Sequence, residues 1–341
     1  MSDAVLPKLS RKHLLQALLG VVLALALLSF FLNRAEPTRL IRSFASLTLS
    51  AAVPALLCEL CVQLSKALKW QAILHRVAKV RYSSALSAVL VGAASTHLLP
   101  LRLDEVLRAA VLARREDIAP GTVLGTVALD RIVELAVAGT ILVGAALLLD
   151  LPDWMVTAAW GLGAVLLLAL LGSISLVRGE ARLRQWLTAS GGTRTAWLSR
   201  GLSSVAKGLK SLPHGRSVLL VMLGTAGEWI ATLLFYLWML HVFSVSCGGE
   251  VPLIMSIGNS VAYMVPNVPG ALGMYEGVQS GILETLAGLD PSAALALALS
   301  AHAILMIPVT IAGLAVGIWE LRSHRPHQPK SAVPPSAAES P

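Results

Sequence analysis

Seven acids and three arginines stand in stretches that are otherwise apolar. The acids are Glu59, Asp104, Glu105, Asp130, Glu134, Glu228 and Glu276; the bases are Arg102, Arg108 and Arg131. An ionisable group at membrane depth costs about 2.5–3.5 kcal/mol on insertion scales and by default marks a functional site. The spacing lets several of them pair along a helix. Asp104 precedes Arg108 by four residues and Glu105 precedes it by three, Asp130 and Glu134 share one face, and Arg131 lies three before Glu134. Two chemistries fit. The charges can be buried pairs that fix helix register. Alternatively Arg102, Arg108 and Arg131 bind an anionic lipid headgroup, while the acids hold those arginines and, being in excess, carry protons. His302 reads as a packed polar residue.

A second candidate element is Pro266-Asn267-Val268-Pro269-Gly270-Ala271-Leu272-Gly273, followed by Glu276. Its Pro and Gly residues stop one helix and start another. A helix that begins at mid-membrane turns free N–H groups and a positive dipole end toward its surroundings, which favours an anion near Gly270 and Gly273. The other reading is a Pro-kinked helix. Cys58 and Cys61 form a CxxC inside an apolar run and read as packing residues rather than a redox or metal pair.

The elements that must carry these residues are membrane helices. Apolar residues make up 56% of the chain and charged residues 13%, against about 25% charged in soluble domains. Apolar runs long enough to span a bilayer, about 20 residues, lie at 14–32, 44–65, 120–149, 154–177, 217–243 and 291–319. Two further stretches, 83–112 and 251–287, break at Pro100-Leu101-Arg102 and at Pro269-Gly270. Their halves, 83–99 with 101–112 and 251–265 with 270–287, are mostly short for a span and read as re-entrant helical hairpins. The predicted fold is an all-α polytopic membrane protein with about six full spans and two re-entrant hairpins.

The net charge of +8 lies in short loops, which argues for membrane orientation rather than nucleic-acid binding. Basic residues concentrate in the N-terminus 1–13, the loop 66–81, Arg114-Arg115, the loop 178–216 and the tail. Both termini are therefore expected on the cytoplasmic side of the cell membrane. The loop 178–216 is either a solvated linker or holds a surface-lying amphipathic helix with Leu183, Trp186, Leu187, Trp197 and Leu198. The tail 321–341 is expected to be disordered. Glu59 and Glu228 are 169 residues apart, as are Pro100 and Pro269. With the expected topology, segments 44–149 and 217–319 would form an inverted repeat, unless the shared offset is coincidence between two Ala/Leu-rich halves. Gly313 and Gly317, four apart in the last span, suit close helix packing.

Four segments in this order resemble a known family. They are Lys69-Trp70, the stretch Pro100-Leu101-Arg102-Leu103-Asp104-Glu105-Val106-Leu107-Arg108, the stretch Asp130-Arg131-Ile132-Val133-Glu134, and the stretch Pro269-Gly270-Ala271-Leu272-Gly273-Met274-Tyr275-Glu276. Together they are similar to motifs of the transmembrane region of lysylphosphatidylglycerol synthase/flippases, over residues 10–320. Leu101 and Asp104 stand where the family usually has Gly, and the acids around Arg131 are exchanged in type. The resemblance implies a flippase-like domain over 14–320, without the aminoacyl-transferring domain, that binds or translocates an anionic phospholipid or polyprenyl-linked lipid. It implies no catalytic residue, cofactor or metal. Its partners would be the lipid and either a separate lipid synthase or a second copy. A membrane-embedded lipid-modifying enzyme and a scaffold for a separate synthase are the alternatives.

Overall fold

The computed structural model describes residues 48–99, 103–148, 153–189, 193–211, 215–263 and 269–323, with residues 29 and 38 besides. These form α1 (Leu49–Leu74), α2 (Tyr82–Leu98), α3 (Leu103–Glu116), α4 (Pro120–Leu148), α5 (Asp153–Ala189), α6 (Thr193–Leu209), α7 (Arg216–Val242), α8 (Glu250–Ala262), a 3-10 turn at Pro269–Ala271, α9 (Met274–Leu286) and α10 (Pro291–Ser323). Among the described residues five helices are long and apolar enough to cross a membrane: α1, α4, α5 to Arg182, α7, and α10 to Arg322. The expected span 14–32, the N-terminus 1–13 and residues 324–341 of the tail lie outside the described residues, apart from Ser29.

Among the five remaining expected spans, α5 outruns 154–177 by twelve residues, while 120–149, 217–243 and 291–319 begin and end within a few residues of these helices. The second span does not. It was expected to stop at 65, with a cytoplasmic loop at 66–81, but α1 runs on to Leu74. Lys66 and Lys69 are therefore helical rather than loop residues. They tolerate that position because carboxylates on neighbouring helices meet them, as described below. Thr48 caps the start of α1, its hydroxyl accepting from the Ala51 N–H at 3.3 Å. The segment 178–216 is also mostly helical. α5 continues to Ala189 and α6 follows.

α1 and α7 pack against each other more extensively than any other pair of helices, and α2 packs along α10. Small residues permit the closest approaches. A methyl group on Gly224 of α7 would run into the Lys69 backbone of α1, and one on Gly313 of α10 into the Leu90 carbonyl of α2. Gly125 and Gly208 bring α4 and α6 together in the same way. The Gly313 contact fits the close packing read from its spacing with Gly317. Cys58 is partly buried and Cys61 exposed, so only Cys58 has a packing role.

α2 with α3, and α8 with α9, are pairs of short helices in mutual contact. Each pair lies between two long helices in the chain. The outward faces carry large apolar side chains, among them Leu57, Leu168, Ile230 and Ile311. A bilayer would cover such faces.

Candidate functional site

The site begins with Lys69, whose side chain is fully buried. Its ammonium donates to Glu228 of α7 at 2.8 Å and to Glu134 of α4 at 3.3 Å, and lies 3.2 Å from Asp130 of α4. One cation thus joins three helices. An ammonium buried without such partners would be costly, and three carboxylates offset that cost. Next to it Trp70 donates its indole N–H to Thr126 at 3.2 Å, which fixes the ring. The Arg108 guanidinium stacks on that ring, 3.9 Å from its centroid. Through Nη1, Arg108 donates to Asp130 at 3.0 Å.

Arg131 lies on the same helix as Asp130 and faces a second group of acids. It donates to Glu105 at 3.2 Å and to Glu134 at 2.5 Å, and Asp104 is 3.7 Å away. The pairing expected within α3, from Asp104 and Glu105 to Arg108, does not form. Both acids face Arg131 on α4 instead, and Arg108 reaches Asp130. Sequence spacing finds partners only along one helix, and here the better partners lie across an interface. The shared face expected for Asp130 and Glu134 is present, with Lys69 on it. Glu59 is buried and accepts from the Gln63 amide at 2.6 Å. Lys66 lies 3.7 Å from Glu228. Arg102 falls outside the described residues.

These groups border a cavity of about 590 Å³. Glu59, Gln63, Lys66, Asp104, Arg108, Arg131, Glu134 and Glu228 form its charged wall, and Thr96, His97, Asn259 and Tyr263 contribute polar groups. Depth can be judged from helix rise. Asp130 and Glu228 lie about 15–18 Å along their helices, near the centre of a hydrocarbon core about 30 Å thick. Every acid on the wall already accepts a hydrogen bond or faces a cation. Arg108 differs. It is only 8% exposed, and its Nε and Nη2 make no hydrogen bond among the described residues. Those two N–H groups form one edge of the guanidinium, the fork that grips two oxygens of a phosphate or carboxylate.

The second break is placed differently from the arginines. Gly270 has φ 62° and Gly273 φ 80°, so both use backbone freedom that a side chain restricts. A Cβ on Gly270 would also lie 3.1 Å from the Met306 sulfur. Ala271 lines the cavity. The start of α9 was expected to offer free N–H groups to an anion. Glu276 already occupies that position, accepting the Gly273 N–H at 2.6 Å through Oε2. Nor does Glu276 hold an arginine among the described residues. Its other oxygen, Oε1, is 2.6 Å from His302 Nδ1, and His302 Nε2 is 3.1 Å from the Tyr263 hydroxyl. Tyr275 stacks on His302 at 4.3 Å and bonds Tyr236 at 2.9 Å, and Tyr236 also accepts from Gln279 at 3.0 Å.

Several residues of this site escaped the sequence reading of candidate site residues, among them Lys66, Lys69 and His302. Lys69 looked like a loop lysine of the basic cytoplasmic face. The excess of acids over bases was the available signal, since a missing cation had to come from elsewhere. His302 looked isolated because its partners lie 26 and 39 residues away.

A scaffold of apolar helices around a charged cavity defines a polytopic membrane protein. Residues 17–313 match the lysylphosphatidylglycerol synthase TM region, and the chain belongs to that family. No curated protein matches the chain.

Proposed function

We propose that this protein is a flippase-like transporter that takes the anionic headgroup of a membrane phospholipid or polyprenyl-linked lipid into the central cavity, in the cell membrane and with both termini cytoplasmic. The observation that carries this reading is Arg108 on the cavity wall: Trp70 and Asp130 hold it, and its buried Nε and Nη2 have no hydrogen-bond partner among the described residues. Arg131 faces three acids and acts as a clamp between α3 and α4. Lys66 adds positive charge at the same wall. In this reading the chain transfers no chemical group and moves lipid between leaflets.

Helix order supports an inverted repeat as the basis of such movement. α1–α4 and α7–α10 each run long, short, short, long, and the offset of 169 residues between Glu59 and Glu228 carries one set onto the other within a few residues. The short pairs α2–α3 and α8–α9 would be the two re-entrant hairpins, one from each side.

The test uses purified protein in liposomes with fluorescent phosphatidylglycerol, and dioctanoyl phosphatidylglycerol for binding in detergent. Arg108→Lys keeps the charge beside Asp130 but loses the fork. It should keep its thermal stability while binding falls about 10- to 100-fold, as expected for charge-assisted hydrogen bonds of about 1.5–3 kcal/mol. Scrambling between leaflets should fall with it. Wild-type binding and scrambling in both Arg108→Lys and Arg108→Gln would sink the proposal.

A further inference from the structure

The headgroup reading makes no use of the cluster around His302, yet that cluster touches the cavity. Tyr263 lines the cavity and its hydroxyl lies 3.1 Å from His302 Nε2. His302 Nδ1 lies 2.6 Å from Glu276 Oε1, and Glu276 Oε2 accepts the Gly273 N–H at the start of α9. His302 and Glu276 are 2% and 1% exposed. If Glu276 is ionised, its oxygens only accept, and Nδ1 carries a proton and donates. With a neutral ring, Nε2 then accepts from the Tyr263 hydroxyl. Each of these atoms has its partner, and the Glu276–His302 pair carries one negative charge.

We propose that Tyr263, His302 and Glu276 form a proton-binding switch that links uptake of one proton to binding of the anion in the cavity. The link to the anion rests on the headgroup reading above. The proton goes to His302 Nε2, and the pair becomes neutral overall. Nε2–H now donates, so the Tyr263 oxygen becomes its acceptor. The Tyr263 O–H can no longer point at the ring and turns away from it, into the cavity that Tyr263 lines. There it offers a further donor to the anion. Proton and anion each favour the other by the same free energy, because linkage is reciprocal. Binding should therefore tighten as pH falls.

Other titratable groups surround the switch. The titratable groups facing it are Tyr275 beside Glu276 on α9, Tyr236 on α7 and His97 on α2, with Glu59 on α1 acting on Tyr263 across the cavity. Tyr275 stacks on the ring, and its hydroxyl is engaged with Tyr236. His97 is 6.0 Å from the Tyr263 ring and bonds Thr310 at 2.7 Å. Tyr263 joins the histidine to the cavity through its hydroxyl. Because Glu276 also caps the backbone at Gly273, a change of charge on the pair acts directly on the start of α9.

The experiment uses the full-length chain in detergent and has two arms. In the first, binding of dioctanoyl phosphatidylglycerol is measured from about pH 8 to about pH 6, where its phosphodiester keeps a constant charge and a histidine can titrate. Wild type should tighten by up to about tenfold per pH unit, the limit for one proton. Tyr263→Phe and His302→Gln should both bind with flat pH dependence. In the second arm, the ligand-free protein is labelled with 15N-histidine, and the His302 signal is assigned by its loss in His302→Gln. It should titrate in wild type and also in Tyr263→Phe, which shows that the phenylalanine variant is folded and has lost only the link. A flat profile in wild type, a wild-type slope in Tyr263→Phe, or a His302 ring that never titrates would each overturn the switch. Failure of wild type to bind the lipid at any pH would instead fall on the headgroup reading, and the ligand-free arm would still decide whether His302 takes the proton.

Discussion

At the scale of single residues, the centre of the molecule is a lysine rather than an arginine. Lys69 meets Asp130, Glu134 and Glu228 while fully buried. Removing its charge strands carboxylates that only partly share other cations, Arg108 for Asp130, Arg131 for Glu134 and Lys66 for Glu228. Breaking a buried pair from one side typically costs about 3–5 kcal/mol. Lys69→Met should therefore lower stability by about that amount in reversible unfolding in detergent, and Lys69→Met with Glu228→Gln should recover part of it. A single variant as stable as wild type would show that Lys69 does not hold these helices. The candidate charges were legible in the sequence because ionisable residues stand out in apolar runs. Arg131 to Glu134 follows from spacing along α4, but the partners of Lys69 and Arg108 were not legible, since those pairs cross between helices. Arg108 to Asp130 spans 22 residues and Lys69 to Glu228 spans 159, and no periodicity along one helix encodes such a pair.

At the scale of helices, hydropathy located most elements because apolar length is what a bilayer demands. The breaks near Pro100 and Pro269 were legible for the same local reason: Pro removes a donor and Gly permits positive φ. The end of α1 was missed because its last nine residues include Lys66 and Lys69, which look like loop residues until their partners are known. Interfaces between helices depend on small residues whose roles differ by position. At Gly224 an added methyl would lie 2.8 Å from the Lys69 backbone nitrogen, whereas at Gly227 it would meet the Ser65 hydroxyl, a side chain that can rotate away. At Gly144 it would meet nothing within 4 Å. Gly224→Ala should thus destabilise by about 1–3 kcal/mol through overpacking, Gly227→Ala by less, and Gly144→Ala not measurably. Thermal melts of the three variants give the ranking. Equal losses at Gly224 and Gly144 would mean that the α1–α7 approach is not set by this contact.

At the scale of the whole molecule, the site, the hairpins and the orientation must agree. The cavity draws on α1, α2, α3, α4, α5, α7, α8 and α10, so both halves of the chain shape it. The proposed transport between leaflets rests on the two halves entering the membrane in opposite senses. The charge pattern makes that statement checkable. The segment 178–216 carries eight lysines and arginines, while the connection between α7 and α8 carries none and includes exposed Cys247. Excess Lys and Arg mark the cytoplasmic side. Cys247 should therefore label from outside intact cells with an impermeant maleimide, in a background where Cys58 and Cys61 are alanine. Lys207 is exposed on α6, so a second protein with Cys247→Ala and Lys207→Cys should label only after the cells are opened. Opposite results at these two positions put α7 across the bilayer from inside to outside. In that orientation the α8–α9 pair enters from outside, whereas the α2–α3 pair, bounded by Lys79, Arg81, Arg114 and Arg115, enters from the cytoplasm. Labelling of both positions from outside would place the two pairs on the same face. The 169-residue offset would then be a direct duplication or an accident of composition, and an inverted repeat could not explain how one cavity reaches both leaflets.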